Sequence, residues 1–214
     1  MRATKRAGSP DPAQSVPGAI GGRIGPNAII RLVEAIGDHQ GRAAATQMLR
    51  AAGLDAYVTA LPQAMVDETH VTALYRVVVA TLGEPLAVQL AAEAGKRTGD
   101  YLLAHRIPKP AQVVLRLLPP RLASWVLLKA IGRHAWTFTG SGRLVVGSGH
   151  PLPVDIVGGA IAAAGPAAAP LARFYAATFE RLYRALVSSS TVVTDLLEPV
   201  DGTLACRLQL NWSG

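Results

Sequence analysis

The stretch "PLARFYAATFERLYRALV" (170–187) decides how the rest of the chain is read. Leu171, Phe174, Tyr175, Phe179, Leu182 and Leu186 recur at helical spacing, which predicts a helix with one apolar face. Both of its flanks have a different period. After it, "STVVTDLLEPVDGTLACRLQLNW" (190–212) alternates on either side of Asp201-Gly202, a pair suited to the tight turn of a hairpin. Before it, "AWTFTGSGRLVVG" (135–147) has β-branched and aromatic runs around Gly140-Ser141-Gly142 and reads as a second hairpin. "PVDIVG" (153–158) adds a short third strand.

Further upstream the pattern is helical. Residues 1–24 are rich in Pro, Gly, Ser and Arg without an apolar period, and read as a disordered basic tail. Pro26 suits the first turn of a helix through "NAIIRLVEAIG", which Gly37 should stop; Asp38 should cap a second helix that ends at Gly53. Asp67 is an expected N-cap for "ETHVTALYRVVVATLG". Pro85 opens the long "PLAVQLAAEAGKRTGDYLLAHRI", which must stop before Pro108. Two shorter helices, "AQVVLRLL" and "RLASWVLLKAIGR", flank Pro119-Pro120.

The order is therefore helices, hairpin, helix, hairpin. It predicts an α+β domain over 25–214, with an N-terminal helical layer packed on a C-terminal antiparallel sheet and a long helix between the hairpins.

Composition narrows the function classes. The chain has 214 residues and one cysteine, Cys206, so it can form no internal disulfide and no self-contained cysteine-ligated cluster. That points to a reducing, cytoplasmic setting. The N-terminal residues lack an apolar core segment, and the uncharged 156–172 is broken by Gly165-Pro166 and Pro170, so a soluble chain is expected. The formal net charge is +7, and it is unevenly placed. Between Tyr101 and Val154 there is no Asp or Glu, whereas Arg106, Lys109, Arg116, Arg121, Lys129, Arg133 and Arg143 all fall there. Such a field attracts a carboxylate-bearing ligand or an anionic membrane surface, with Trp125 at the interface. It lacks the interleaved aromatics and motifs of a nucleic-acid binder.

"FYAATFERLYRALV", the extended run after it and "GTLACRLQL" together resemble the vinyl-reductase (4-vinyl reductase) domain family. Gly202 and Cys206 match its G-x-x-x-C turn. "AEAGKRTGDYLLAHRI" resembles that family's central helix, with Gly95 and Gly99 where small residues recur. The resemblance spans residues 25–212 and is strongest to the branch serving bacteriochlorophyll biosynthesis in purple phototrophic bacteria. It implies a fold akin to haem-based gas sensors and to a Golgi-tethering subunit, with a small-molecule pocket between helices and sheet. The family's further cysteines are missing from "APLARF" and "LLEPVDG". One thiolate cannot close a zinc site, so Cys206 reads as a small buried hydrophobe and no metal site is expected.

The family name implies reduction of a tetrapyrrole vinyl group. No G-x-G-x-x-G lies between a strand and a helix, and there is no P-loop. No cofactor of its own is evident. The residues therefore suit binding of a Mg-porphyrin or protochlorophyllide type of intermediate, as accessory or carrier for pathway enzymes. A reductase using an external reductant and a ligand-sensing regulatory domain are the alternatives. A bound macrocycle needs an apolar slot, cations for its propionates and an axial ligand for Mg. "HRIPKP" supplies His105 and Arg106, and "GRHAW" supplies Arg133, His134 and Trp136. Trp125 and His150 complete the candidate set. His105 is favoured as axial ligand because "YLL" gives it an apolar approach. Against this, arginines at helix C-termini are expected from the dipole alone, as are Asp67 and Glu68 in a first turn.

Overall fold

The computed structural model describes residues 22–213. Most of the expected tail, residues 1–21, lies outside the described residues. Its last residues do not behave as tail: Arg23–Ile24 form strand β1, antiparallel to β2 (Val66–Asp67).

Helix α1 (Asn27–Gln40) runs through Gly37 and ends at Gly41, whose φ of 87° closes it. Glycine lowers helix stability without breaking the ladder, so Gly37 does not act as the stop expected of it. Asp38 consequently sits inside α1 and accepts a hydrogen bond from Arg97 at 2.6 Å, while Gly41 precedes α2 (Arg42–Ala51). After α3 (Asp55–Thr59), helix α4 (Glu68–Leu82) starts at Asp67, whose carboxylate accepts from the Thr69 backbone N–H at 2.8 Å, as expected of an N-cap. A hydrogen bond from the Thr69 hydroxyl, and then this one from its backbone, holds the Asp67 carboxyl below its ordinary pKa. Helix α5 (Glu84–His105) carries Pro85 in its first turn and gives way before Pro108 to α6 (Lys109–Leu117) and α7 (Pro120–Arg133).

The first hairpin is displaced from its expected position. Trp136–Thr139 form a short helix, α8, and the strand β3 covers only Arg143–Val146. Its partner is β4 (Leu152–Val157), so the turn is at 147–151. The expected turn residues instead hold a buried carboxylate. Glu68 accepts a hydrogen bond from the Ser141 backbone N–H at 3.0 Å and another from the Ser141 hydroxyl. A Cβ on Gly140 would stand 2.1 Å from a Glu68 carboxylate oxygen, so the Gly-Ser pair anchors α4 where α8 leads into β3. Glu68 is thus more than a dipole residue.

The short helix α9 (Gly159–Ala163) leads to the long α10 (Ala168–Leu186), then β5 (Val192–Val200) and β6 (Thr203–Asn211). Asp201 (φ 51°) and Gly202 (φ 75°) both have positive φ, as a two-residue hairpin turn with the twist of its strands requires. The sheet is antiparallel throughout in the order β3-β4-β6-β5, so the short "PVDIV" strand is central. The expected α+β class, with a long helix between two hairpins, is the one observed. The N-terminal helices meet α10 through α5, and α10 meets the sheet chiefly through β5.

Period-two alternation turns Cys206, Leu208 and Leu210 of β6 inward, facing Ile156, Val154 and Leu152 across the β4 ladder. The charged pair on the other face is Asp155–Arg207, joined by two hydrogen bonds of 2.7 and 2.8 Å. On the helical side, α5 and α10 approach until backbone touches backbone. A Cβ on Gly95 would lie 2.3 Å from the Phe174 carbonyl oxygen, and one on Gly99 2.7 Å from the Arg181 side chain. Thr178 donates to the Gly95 carbonyl at 3.1 Å, pinning the crossing.

Two glycines inside helices are therefore expected to respond oppositely to alanine. Gly95→Ala should destabilise by about 1–3 kcal/mol through overpacking against Phe174. Gly37→Ala, with nothing within 4 Å of its Cβ, should stabilise by about 0.5–1 kcal/mol. Urea melts of the two variants check both signs.

Candidate functional site

Helix α7 lays one stripe of side chains over the end of the sheet. Arg121, Ser124, Trp125, Leu128 and Lys129 follow one another at helical spacing and form one wall of a groove of about 650 Å³. The opposite wall is Val146 from β3, Gly147, Gly149 and His150 from the turn, Leu152 from β4 and Trp212 just past β6. This volume falls within the range of sites that bury small organic ligands.

The floor is fixed by a chain of contacts. Ser124 Oγ and Tyr183 Oη are 3.0 Å apart in the interior, and the Tyr183 ring lies 5.8 Å from that of Trp212. Burial raises the Tyr183 hydroxyl far above its ordinary pKa, so it stays neutral. Trp212 in turn holds His150: the rings meet edge-on at 4.5 Å, and Nε2 is 2.9 Å from the Trp212 carbonyl oxygen. A carbonyl can only accept, so Nε2 carries the hydrogen. In the neutral imidazole Nδ1 then keeps a lone pair for a ligand. At the rim, Trp125 is 58% exposed, and Lys129 Nζ stands 4.9 Å from its ring centroid.

Of the seven residues predicted from sequence, the groove brings together two, Trp125 and His150. His105 and Arg106 lie at the exposed end of α5, clustered on Tyr101 at 4.9 and 5.9 Å respectively. His134 closes α7, its carbonyl accepting from the Thr137 backbone and hydroxyl. Arg133 and Trp136 are exposed and, like His134, do not line the groove. The apolar approach expected of His105 is taken by Tyr101.

Arg121, Lys129 and Trp212 were not predicted as site residues. The signal for the first two was present, since they lie four residues before and after Trp125 and share its helix face. Trp212 continues the inward alternation of Cys206, Leu208 and Leu210 by one step. His70, the remaining candidate of the "DETH" stretch, is occupied by the Tyr57 hydroxyl at 2.8 Å.

Cys206 is fully buried on the inner face of the sheet, with its sulfur 4.0 Å from the Ala172 carbonyl. Burial, and then the charges of Asp195 and Asp155, push its thiol far above the ordinary range. It is therefore an uncharged packing group, because nucleophilic and metal-binding chemistry needs the thiolate. Among the described residues, no three His, Cys, Asp or Glu side chains gather into a cluster that could hold a metal ion.

The fold is similar to that of the H-NOX domains. A solved structure from work on haem distortion in the H-NOX family aligns with a TM-score of 0.57 over 89% of this chain and 96% of that one. The identity between them is 11%, so the likeness is one of fold. No family model matches the chain. Two curated relatives match at much higher identity. The bacteriochlorophyll synthase 23 kDa chain of Cereibacter sphaeroides is 41% identical over 192 residues, 90% of this chain and 92% of the relative. The protein of the same name from Rhodobacter capsulatus is 38% identical over 174 residues, covering 81% and 80%. The chain belongs to the family of bacteriochlorophyll synthase 23 kDa chains.

If Cys206 only packs, Cys206→Ala should cost roughly 1 kcal/mol of stability. The native protein should also resist a thiol reagent that labels it fully after denaturation. Rapid labelling of the native protein would show an accessible thiol instead.

Proposed function

We propose that the groove between α7 and the β3–β4 turn binds a tetrapyrrole intermediate of bacteriochlorophyll synthesis, and that the protein serves as its carrier or as an accessory to the enzymes that act on it. The observation that carries this reading is the conjunction at His150. Its Nε2 lies 2.9 Å from the Trp212 carbonyl, which leaves Nδ1 without that bond in a groove also lined by two indoles and two cations. The names of the relatives supply the pathway, and the fold is one in which haem is held elsewhere.

The residues fit the group by type. Trp125, Trp212, Leu128 and Leu152 offer apolar and aromatic surface to a flat macrocycle. Arg121 and Lys129 would supply the cations that propionates need, and Arg in particular can pair with a carboxylate through two hydrogen bonds. His150 would ligate a central Mg, with the Trp212 carbonyl fixing its tautomer, as backbone carbonyls do for metal-bound histidines. A bound intermediate would supply the conjugated ring and its Mg; this chain would supply position, charge and one nitrogen donor. Carriage needs no proton or electron transfer by the protein.

Absorption titrations with Mg-protoporphyrin and metal-free protoporphyrin test the assignment. His150→Ala should weaken the Mg form by at least roughly tenfold, the loss seen for even an outer-shell partner of a metal, and should spare the metal-free form. Arg121→Ala should weaken both forms roughly ten- to a hundredfold, the worth of a charge-assisted contact. Esterifying the propionates should mimic that loss in the wild type. His105→Ala and Arg106→Ala should change neither affinity. Loss in those two variants, with His150 and Arg121 silent, would move the site to the end of α5. Catalytic turnover of a divinyl substrate with an added reductant would replace the carrier reading with an enzymatic one.

A further inference from the structure

Helices α6 and α7 expose the wrong residues for an ordinary solvated surface. On α6, Val113, Val114 and Leu117 share one face and are 53, 55 and 80% exposed. The rotation of this helix is fixed. Gln112 is buried and donates to the carbonyls of Leu103 and Ile107 at 2.6 and 2.8 Å, Leu115 is buried, and Arg116 donates to the Ala185 carbonyl at 2.9 Å. The apolar face is therefore held outward. Past the Pro119-Pro120 corner, α7 buries Ala123, Ser124, Leu127 and Leu128 and leaves Leu122 and Trp125 exposed.

The charge around this face is of one sign, because residues 101–154 hold no Asp or Glu. Of the described cations, Arg31, Arg97, Arg143, Arg173, Arg181, Arg184 and Arg207 each pair with a carboxylate, whereas Arg42, Arg50, Lys96 and Arg106 do not. Among the described residues, Lys109, Arg121, Lys129 and Arg133 on α6 and α7 have no such partner. No helix of the described residues is long and apolar enough to cross a membrane. From exposed Leu, Val and Trp beside unpaired cations, we infer that the α6–α7 face docks on an anionic lipid bilayer, lying in its interface. Aliphatic side chains enter the acyl boundary, a tryptophan sits at headgroup level, and lysine and arginine stems reach outward to phosphates. A nucleic acid would leave Val113, Val114 and Leu117 without apolar contact. Because Arg121, Trp125 and Lys129 belong both to this face and to the groove, the groove opens beside the bilayer.

Flotation of the full chain with lipid vesicles tests the docking. Vesicles of phosphatidylcholine with phosphatidylglycerol should bind at least roughly a hundredfold more tightly than pure phosphatidylcholine, since each cation near an anionic surface contributes severalfold. Added salt should weaken the binding. Val114→Glu with Leu117→Glu should reduce it by at least roughly tenfold, and Leu117→Ser should reduce it more mildly, both with unchanged thermal melts because these positions face solvent. Neither position lines the groove, so porphyrin titrations without vesicles should be unaffected. Docking also stands independently of the tetrapyrrole reading, because the ligand-free protein should float. Equal binding to neutral and anionic vesicles, no binding to either, or wild-type binding by the glutamate variant would overturn it. So would capture of this face by an acidic protein when vesicles do not bind.

Discussion

The fold depends on how closely α5 and α10 can approach. Gly95 and Gly99 remove the side chains that would separate them, and Thr178 converts the space gained into a hydrogen bond between helices. Close packing of this kind gains dispersion contacts over two long surfaces but tolerates no added atom at the crossing. α10 carries the apolar inner face of the sheet, and through α5 it carries the N-terminal helices. The ion pairs along α1 and α5, centred on Arg97 with Glu93 and Asp38, orient that outer contact. They are partly exposed, so their contribution to stability is modest.

Much of this was legible in the sequence, for physical reasons. The helical period of 170–187 and the alternation of 203–211 are strong because each element buries one face against the other. Pro85, Pro108 and Asp67 mark helix boundaries through backbone chemistry that no tertiary contact overrides. Gly95 and Gly99 were noticeable only through resemblance to a family, since nothing local says that a helical glycine faces another helix. Where the reading failed, the cause was a long-range partner. Gly140-Ser141 has the composition of a hairpin loop, yet it binds a carboxylate more than 70 residues away, and the turn lies at 147–151.

The groove shows the same division. Trp125 and His150 were visible as residue types, but histidines beside arginines at helix ends attracted equal notice and fell outside it. Local sequence cannot distinguish a histidine stacked on Tyr101 from one held by the carbonyl of Trp212. That distinction arises because β4 and β6 are neighbours, which brings residues 150 and 212 together. The chemistry at His150 is a product of strand order.

The short β1–β2 clip has a consequence for how the chain assembles. Gly22 accepts from the Glu68 backbone at 2.8 Å, and Gly25 donates to the Thr137 carbonyl at 2.7 Å. A four-residue segment near the beginning thus closes two loops, one of about 45 residues and one of more than 110. Loop closure costs conformational entropy before its contacts are realised. On a ribosome the first loop can form early, but the second must wait until residue 137 has emerged. During that interval the backbone at Gly25 lacks its final partner, and α4 lacks the Ser141 donors that satisfy its buried carboxylate. The N-terminal half is consequently completed by the C-terminal half, and a nascent chain halted between the two leaves the Gly25 N–H and the Glu68 carboxylate without their final partners.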